Sequence, residues 1–158
     1  MAATVRLDPA GCAAEFDSAR ALFREYQAAL GIDLCFQSFE RELEQAERMY
    51  GPPGGRVLLA FVDGQLAGCG AVRELAPGVG ELKRMYVRPG FRGQGLGRQL
   101  AEALLAAAFE LGYRAVCLDT LPSMVEAMEL YRSLGFREIP PYYGNPLPGV
   151  VYMERALP

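Results

Sequence analysis

The fold of this 158-residue chain is decided by one stretch, Val87-Arg88-Pro89-Gly90-Phe91-Arg92-Gly93-Gln94-Gly95-Leu96-Gly97. A strand-like run precedes it, and leucines and alanines at helical spacing follow it, which predicts a loop between a strand and a helix. Glycines let the backbone approach a ligand closely, and the free amides at a helix start point at an anion. The stretch therefore predicts a site for phosphate groups.

The charge around this loop favours the same function. The chain from 83 to 98 has no acidic residue, and it has these basic ones: Lys83, Arg84, Arg88, Arg92 and Arg98. The whole chain, in contrast, carries a net charge of -3. A glycine-rich turn with surface arginines is the alternative interpretation. The strand, the helix start and the local charge together favour a phosphate-binding loop.

Two common nucleotide-binding motifs do not fit the loop. A P-loop ends in Gly-Lys followed by Ser or Thr, whereas this chain has Gly97-Arg98-Gln99. A Rossmann fingerprint that starts at Gly95 would place Leu100 where a third small residue is needed. An antiparallel hairpin before the loop also fits a Rossmann domain poorly.

Outward from the loop, apolar periodicity predicts the other elements. Two amphipathic helices, with apolar stripes over 16–30 and 36–50, follow a short first strand. Asp63-Gly64 predicts a tight hairpin turn between the next two strands. The predicted order is β-α-α-β-β-β-α-β-α-β-β, an α/β fold with hairpins first and crossovers later. No linker interrupts the pattern, so we expect a single domain over 1–158.

Composition excludes several classes of chemistry. The chain has no histidine, which removes Ser-His-Asp and Cys-His nucleophiles and most catalytic zinc sites. The four cysteines are scattered without a Cys-x-x-Cys pair, so buried reduced thiols are expected and a metal site is not.

The chain also lacks the patterns of export and of polyanion binding. Its N-terminus has no basic and then apolar signal layout, and its longest apolar runs are too short to span a membrane. The acidic pI of about 5.1 argues against a general nucleic-acid binder. We expect a cytoplasmic protein that has neither nucleic acid nor membrane as a partner.

Two motifs resemble those of the GNAT N-acetyltransferases. Residues 87–97 resemble the acetyl-CoA motif of that family, whose core is Arg/Gln-x-x-Gly-x-Gly/Ala and here runs from Arg92 to Gly97. The stretch Ala127-Met128-Glu129-Leu130-Tyr131-Arg132-Ser133-Leu134-Gly135-Phe136 resembles the second signature, a helix with Leu-Tyr followed by Gly-Phe. One predicted helix and one predicted strand separate the motifs, as in the family. The resemblance implies a mixed central sheet with helices on both faces.

The resemblance also implies where acetyl-CoA, the acyl donor, would bind. Backbone groups of Met85 and Val87 would bond the pantetheine arm, and the amides of the glycine loop would hold the pyrophosphate. The implied binding residues are Met85, Tyr86, Val87, Arg92, Gly93, Gln94, Gly95, Leu96, Gly97, Arg98 and Tyr131. Met124 stands where the family often has an asparagine that contacts pantetheine. This departure implies weaker binding, or a replacement of the asparagine by Ser123.

Two residues are candidates for catalysis. Glu81 lies four residues before Met85, where family members that use a protein base often have a glutamate. The alternatives are that Glu81 pairs with Lys83 or Arg84 and that water removes the proton. Tyr131 is the candidate general acid for the departing thiolate, since its phenol keeps its proton at neutral pH. Alternatively, Tyr131 belongs to an apolar stripe and is a core residue.

A loop with two tyrosines between prolines, 140–146, has two interpretations. Rigid aromatic side chains commonly form a wall of a substrate pocket. A stiff loop with packed rings is the alternative.

The function that these features predict is transfer of an acetyl group from acetyl-CoA to a primary amine by direct attack. We expect the acceptor to be a small-molecule or peptide amine. Members of the family are often dimers, so the resemblance also implies a homodimer as a candidate state. A non-catalytic acyl-CoA sensor is the main alternative. A nucleotide-phosphate binder of unrelated chemistry is a third.

Overall fold

The computed structural model describes residues 3–31, 39–144 and 149–158. The first half contains strand β1 (Val5–Pro9), helices α1 (Ala13–Leu30), α2 (Phe39–Glu44) and α3 (Ala46–Tyr50), and strands β2 (Arg56–Val62), β3 (Gln65–Ala76) and β4 (Val79–Val87). The second half contains α4 (Leu96–Glu110), β5 (Ala115–Thr120), α5 (Val125–Ser133), β6 (Arg137–Ile139) and β7 (Val151–Ala156). The predicted order is confirmed, except that two short helices replace the predicted second helix.

The interruption of that helix lies at Gln45, whose backbone leaves the helical region (φ -107°, ψ 21°). The apolar stripe survives the break, because Phe39, Leu43, Ala46 and Tyr50 are all buried. Periodicity predicted this stripe correctly, and Phe36, its first member, lies outside the described residues. The break was not predicted, since it leaves the spacing of apolar side chains intact.

The strands form one sheet in the order β1-β2-β3-β4-β5-β7-β6. The neighbouring pairs are antiparallel apart from β4 and β5. Asp63 (φ 49°) and Gly64 (φ 80°) connect β2 to β3, and two left-handed residues are what a type I′ hairpin turn requires. The hairpin prediction is confirmed.

Alternate side chains of the sheet enter two cores. On one face, Leu58, Ala60 and Val62 of β2 pack in a core that includes Leu100 and Leu104 of α4. On the other face, Val57 and Leu59 pack in a core with residues of α1, α2 and α3. The predicted mixed sheet with helices on both faces is therefore confirmed.

The parallel pair β4–β5 is short. Its register includes three pairs of residues: Val79 with Ala115, Gly80 with Val116, and Glu81 with Cys117. Beyond Glu81 the two strands separate. The gap between them opens a cleft in the middle of the sheet.

A bulge in β4 lies next to this gap. Arg84 and Met85 both stand opposite Gly70, and Arg84 has a left-handed backbone (φ 58°). A Cβ atom on Gly70 would lie 2.6 Å from side-chain atoms of Leu104 and Met85, so a larger residue there would require those side chains to shift. Bulges redirect side chains, and this one turns Arg84 toward α2 while Met85 packs on the α4 side.

Candidate functional site

The cleft between β4 and β5 has a volume of about 380 Å³. The predicted binding residues that line it are Met85, Tyr86, Val87, Arg92, Gly93, Gly95, Leu96, Gly97, Arg98 and Tyr131. Gln94 and Glu81 are not among its lining residues. The structure thus brings ten of the predicted residues together from β4, the glycine loop, α4 and α5.

The glycine loop presents an open backbone surface to the cleft. Gly93 (φ 81°) and Gly95 (φ 77°) are left-handed, and Gly95 is the N-cap of α4 without a side-chain cap hydrogen bond. No heavy atom lies within 4 Å of a Cβ built on either glycine, so a side chain there would project into open space. The first amides of α4 have no partner within the helix, and its first turn contains no acidic residue. This arrangement suits an anion such as a pyrophosphate.

Two arginines border the loop at the surface. The Nε of Arg92 donates to the carbonyl oxygen of Val87 at 2.8 Å, and its guanidinium lies 5.8 Å from the centre of the Tyr86 ring. The Nη2 of Arg98 donates to the Ser133 hydroxyl at 2.6 Å. Both guanidinium groups are thereby held at the cleft.

The positive charge around the loop is smaller than the sequence indicated. Glu42 accepts two hydrogen bonds from Arg84, at 2.6 and 2.8 Å, and both side chains are buried. Glu25 accepts two from Arg88, at 3.0 and 2.7 Å. These carboxylates come from α1 and α2, far away in sequence, so local charge counting did not reveal them. The two arginines therefore have structural partners.

The pKa values of these carboxyl groups reflect the pairing. Burial raises the pKa of Glu42, but the hydrogen bonds and charge of Arg84 outweigh that effect and hold it below its usual value. Hydrogen bonds from Arg88 likewise lower the pKa of Glu25. Both carboxylates are therefore ionised at neutral pH.

Tyr131 is both a packed residue and a lining residue of the cleft. It is 7% exposed and packs edge-on against Phe136, with ring centres 5.7 Å apart, yet it lines the cleft. Burial raises the pKa of its phenol, so the hydroxyl keeps its proton at neutral pH. The role of general acid stays a prediction.

Glu81 is 2% exposed, and both oxygens of its carboxylate accept hydrogen bonds. Its Oε1 accepts a hydrogen bond from Arg73 Nε at 3.0 Å, and its Oε2 accepts one from the Tyr142 hydroxyl at 2.9 Å. Glu81 therefore forms its ion pair with Arg73, and not with Lys83 or Arg84, the partners suggested in the sequence analysis. The partnership with Arg73 was not predictable from the sequence, because it depends on the register of β3 against β4.

The described part of the loop with the two tyrosines (the tyrosine loop), 140–144, packs on the sheet. The rings of Tyr142, Tyr143 and Tyr152 lie 5.0 to 5.6 Å apart by their centres, and the Tyr143 hydroxyl donates to Asp119. Neither loop tyrosine lines the cleft, which supports the interpretation of packed rings for the described part of this loop. Asp119, which does line the cleft, was missed from the sequence.

Met124 lines the cleft at the position where the resemblance implied an asparagine. Its sulfur accepts a hydrogen bond from Thr120 Oγ1 at 3.8 Å. Ser123 is exposed and not a lining residue, so a thioether takes the place of the amide.

Comparisons with known proteins agree with this geometry. The model of the acetyltransferase (GNAT) family matches residues 19–136. An uncharacterised N-acetyltransferase of Schizosaccharomyces pombe is 43% identical over 142 residues, which are 89% of this chain and 87% of the relative. The chain belongs to the acetyltransferase (GNAT) family and is an N-acetyltransferase.

Solved structures share the fold. A GNAT acetyltransferase from Staphylococcus aureus superposes with a TM-score of 0.80 at 22% identity, covering 98% of this chain and all of its own. The putative acetyltransferase yncA of Salmonella typhimurium, solved with acetyl-CoA, gives a TM-score of 0.72 at 19% identity and covers 98% of this chain and 94% of its own. Among the described residues, no helix is both long and apolar enough to cross a membrane.

Proposed function

We propose that this chain transfers the acetyl group of acetyl-CoA to a primary amine of a small-molecule or peptide acceptor by direct attack. One observation carries the proposal: a helix start with free amides and the edge of β4 that β5 leaves open meet in the same cleft. The acetyl-CoA in the Salmonella typhimurium structure supports this choice of donor.

The donor would bind along the open edge of β4. The amides of residues 93–98, Gln94 included, would hold the pyrophosphate, with the charges of Arg92 and Arg98 beside it. The backbone of Met85 and Val87, with Tyr86 between them, would pair with the pantetheine arm as an added strand pairs with a sheet edge. The cleft supports this arrangement because β5 no longer pairs with β4 beyond Glu81.

The chemistry would run in three steps. A neutral amine attacks the thioester carbonyl carbon, and the new C–N bond gives a tetrahedral intermediate. The C–S bond then breaks, and the Tyr131 hydroxyl gives its proton to the sulfur. The attacking nitrogen, which carries two protons in the intermediate, keeps one in the amide product and gives the other back to the Tyr131 oxygen. Glu81 assists the initial removal of a proton from the acceptor ammonium through its negative charge, because both of its oxygens already accept hydrogen bonds.

Replacement of Tyr131 by Phe tests the acid. It removes only the hydroxyl, so we expect turnover to fall by about 10²-fold or more, which is the low end for loss of a general acid. CoA affinity and melting temperature should stay near those of the parent. The measurement is CoA thiol release from acetyl-CoA with a panel of primary amines, together with the mass of the acetylated product.

Tyr113→Phe is the matched control. Tyr113 is also a buried tyrosine, but its hydroxyl donates to the carbonyl oxygen of Gly54, away from the cleft. This variant should keep its turnover. Full activity of Tyr131→Phe would make Tyr131 a packing residue. CoA binding by the parent without turnover of any amine would instead identify an acyl-CoA sensor.

A further inference from the structure

Lys83 is the single lysine of this chain. The sequence has 16 basic residues, and the other fifteen are arginines. Its position is therefore the one place in the sequence with a basic side chain whose pKa the surroundings can lower enough to release the proton, since an arginine in a protein stays charged.

This lysine lies on β4 just beyond the point where β4 and β5 stop pairing. It follows Glu81 by two residues, pairs with Ala71 of β3 on the face that carries α1, α2 and α3, and lines the cleft. The residue is partly buried. An acceptor that reaches the cleft from this face would meet the amine of Lys83.

The basic side chains around Lys83 have carboxylate partners, whereas Lys83 has none among the described residues. Arg73 pairs with Glu81, Arg84 with Glu42, and Arg88 with Glu25. In the part of the chain that the structure describes, no carboxylate oxygen lies within 4.0 Å of the Lys83 amine and no hydrogen bond to it is present. A partly buried ammonium without a carboxylate partner loses hydration that no ion pair replaces, which favours its neutral form.

The charged groups that face Lys83 come from several elements. Burial lowers the pKa of the Lys83 ammonium, and the neighbouring charge of Arg84 lowers it further. Glu81, Glu42 of α2 and Asp119 of β5 act in the opposite direction, and the net effect is a lowered pKa. Tyr26 of α1 also lines the cleft, and burial raises the pKa of its phenol, which stays neutral.

We propose that the neutral amine of Lys83 takes the proton from the acceptor ammonium before attack, so that Lys83 is the direct base of the reaction. This rests on the proposed function. One N–H bond of the acceptor ammonium breaks, its electron pair stays on the acceptor nitrogen, and the proton forms a new N–H bond at Lys83 Nζ. The negative charges of Glu81 and Asp119 then stabilise the lysine ammonium, which returns the proton to water after product release.

The presence of one lysine allows a direct test that needs no acceptor. Protein labelled with ¹³C at the ε carbon of lysine gives one resonance, and its shift against pH reports the ionisation of Lys83 alone. We expect a midpoint below the ordinary lysine value of about 10.4. Glu81→Gln should move this midpoint to lower pH, because a neighbouring negative charge is lost. A midpoint at or above the ordinary value would overturn the proposal.

Kinetics supply the second test. Lys83→Arg keeps a positive charge but cannot accept a proton, so its kcat/KM for an alkylamine should fall by about 10²–10⁴ at neutral pH and recover in part at high pH. An aromatic amine that is already neutral should react with Lys83→Arg nearly as fast as with the parent. CoA affinity, measured by calorimetry, should be unchanged.

Each other outcome contradicts a particular statement. Equal losses for both amines, or an unchanged pH profile in Lys83→Arg, would show that Lys83 does not act as the base. Loss of the ionisation from the activity profile of Glu81→Gln would make Glu81 the direct base. A parent enzyme that acetylates no amine would remove the proposed function itself, whereas parent turnover with a fully active Lys83→Arg removes only this inference.

Discussion

At Gly95 the backbone is left-handed (φ 77°), at the residue that begins α4 and faces the cleft. Replacement by Val should cost about 1–2 kcal/mol of stability from the unfavourable φ. The larger effect should be on binding, because the new side chain would project into the space proposed for the pyrophosphate. We expect CoA affinity to be lost in isothermal titration calorimetry while the circular dichroism spectrum is kept.

Gly64 offers a matched control for that variant. It has φ 80° and no heavy atom within 4 Å of a built Cβ, but it belongs to the β2–β3 turn. Gly64→Val should show similar strain and normal CoA affinity. Undiminished CoA affinity in Gly95→Val would refute the assignment of the loop as the phosphate site.

The buried pair of Glu42 and Arg84 leads to a stability prediction. Glu42→Gln leaves the Arg84 charge buried without its carboxylate, so unfolding in urea should show a loss of about 3–5 kcal/mol. Glu25→Gln is the comparison, because its pair with Arg88 is partly exposed and should contribute about 1 kcal/mol or less. Equal losses in the two variants would contradict the difference in burial.

The contribution of Glu42 should also depend on pH. Its pKa is lowered in the folded protein, so its stabilisation is present above the unfolded carboxyl pKa of about 4.3 and is lost as pH falls through the lower folded value. The difference between the parent and Glu42→Gln should therefore shrink as the pH drops below about 4. A difference that does not change with pH would show that Glu42 is not the titrating group.

At the scale of elements, the separation of β4 from β5 should be visible in amide hydrogen exchange. CoA should slow exchange in the segments 82–87 and 93–98, where backbone groups gain partners. The β2–β3 hairpin, whose strands pair from Arg56 to Val62 with one register shift after Ala60, serves as the internal control and should not respond. Uniform slowing over the chain would indicate global stabilisation instead of binding along the β4 edge.

The elements themselves were largely predictable. Helix α4 and its loop followed from glycines before a leucine stripe, and the Asp63-Gly64 turn followed from residues that tolerate a left-handed backbone. The break at Gln45 and the bulge at Arg84 were not predictable, because each depends on packing against another element. A positive φ at an arginine has no local signature in the sequence.

At the scale of the whole molecule, the sequence predicted the lining of the cleft around the glycine loop better than the contacts of Glu81 and Asp119. The residues of the glycine loop are neighbours in the chain, so a local motif identifies them. The contacts of Glu81 and Asp119 join distant segments: Arg73 reaches Glu81 through strand register, and Asp119 meets Tyr143 through a loop. Such contacts become apparent only when the register of the sheet is known.

The two cores on opposite faces of the sheet have an evolutionary consequence. The glycine loop and α4 belong to one face, whereas Lys83, Glu81 and Tyr142 belong to the other. Under the proposed function, substitutions in α1 and α2 at positions that neither line the cleft nor pair with Arg84 or Arg88 should therefore change which amine is accepted more than they change donor binding. A library confined to those positions should yield enzymes of new specificity that all keep the same thioester donor.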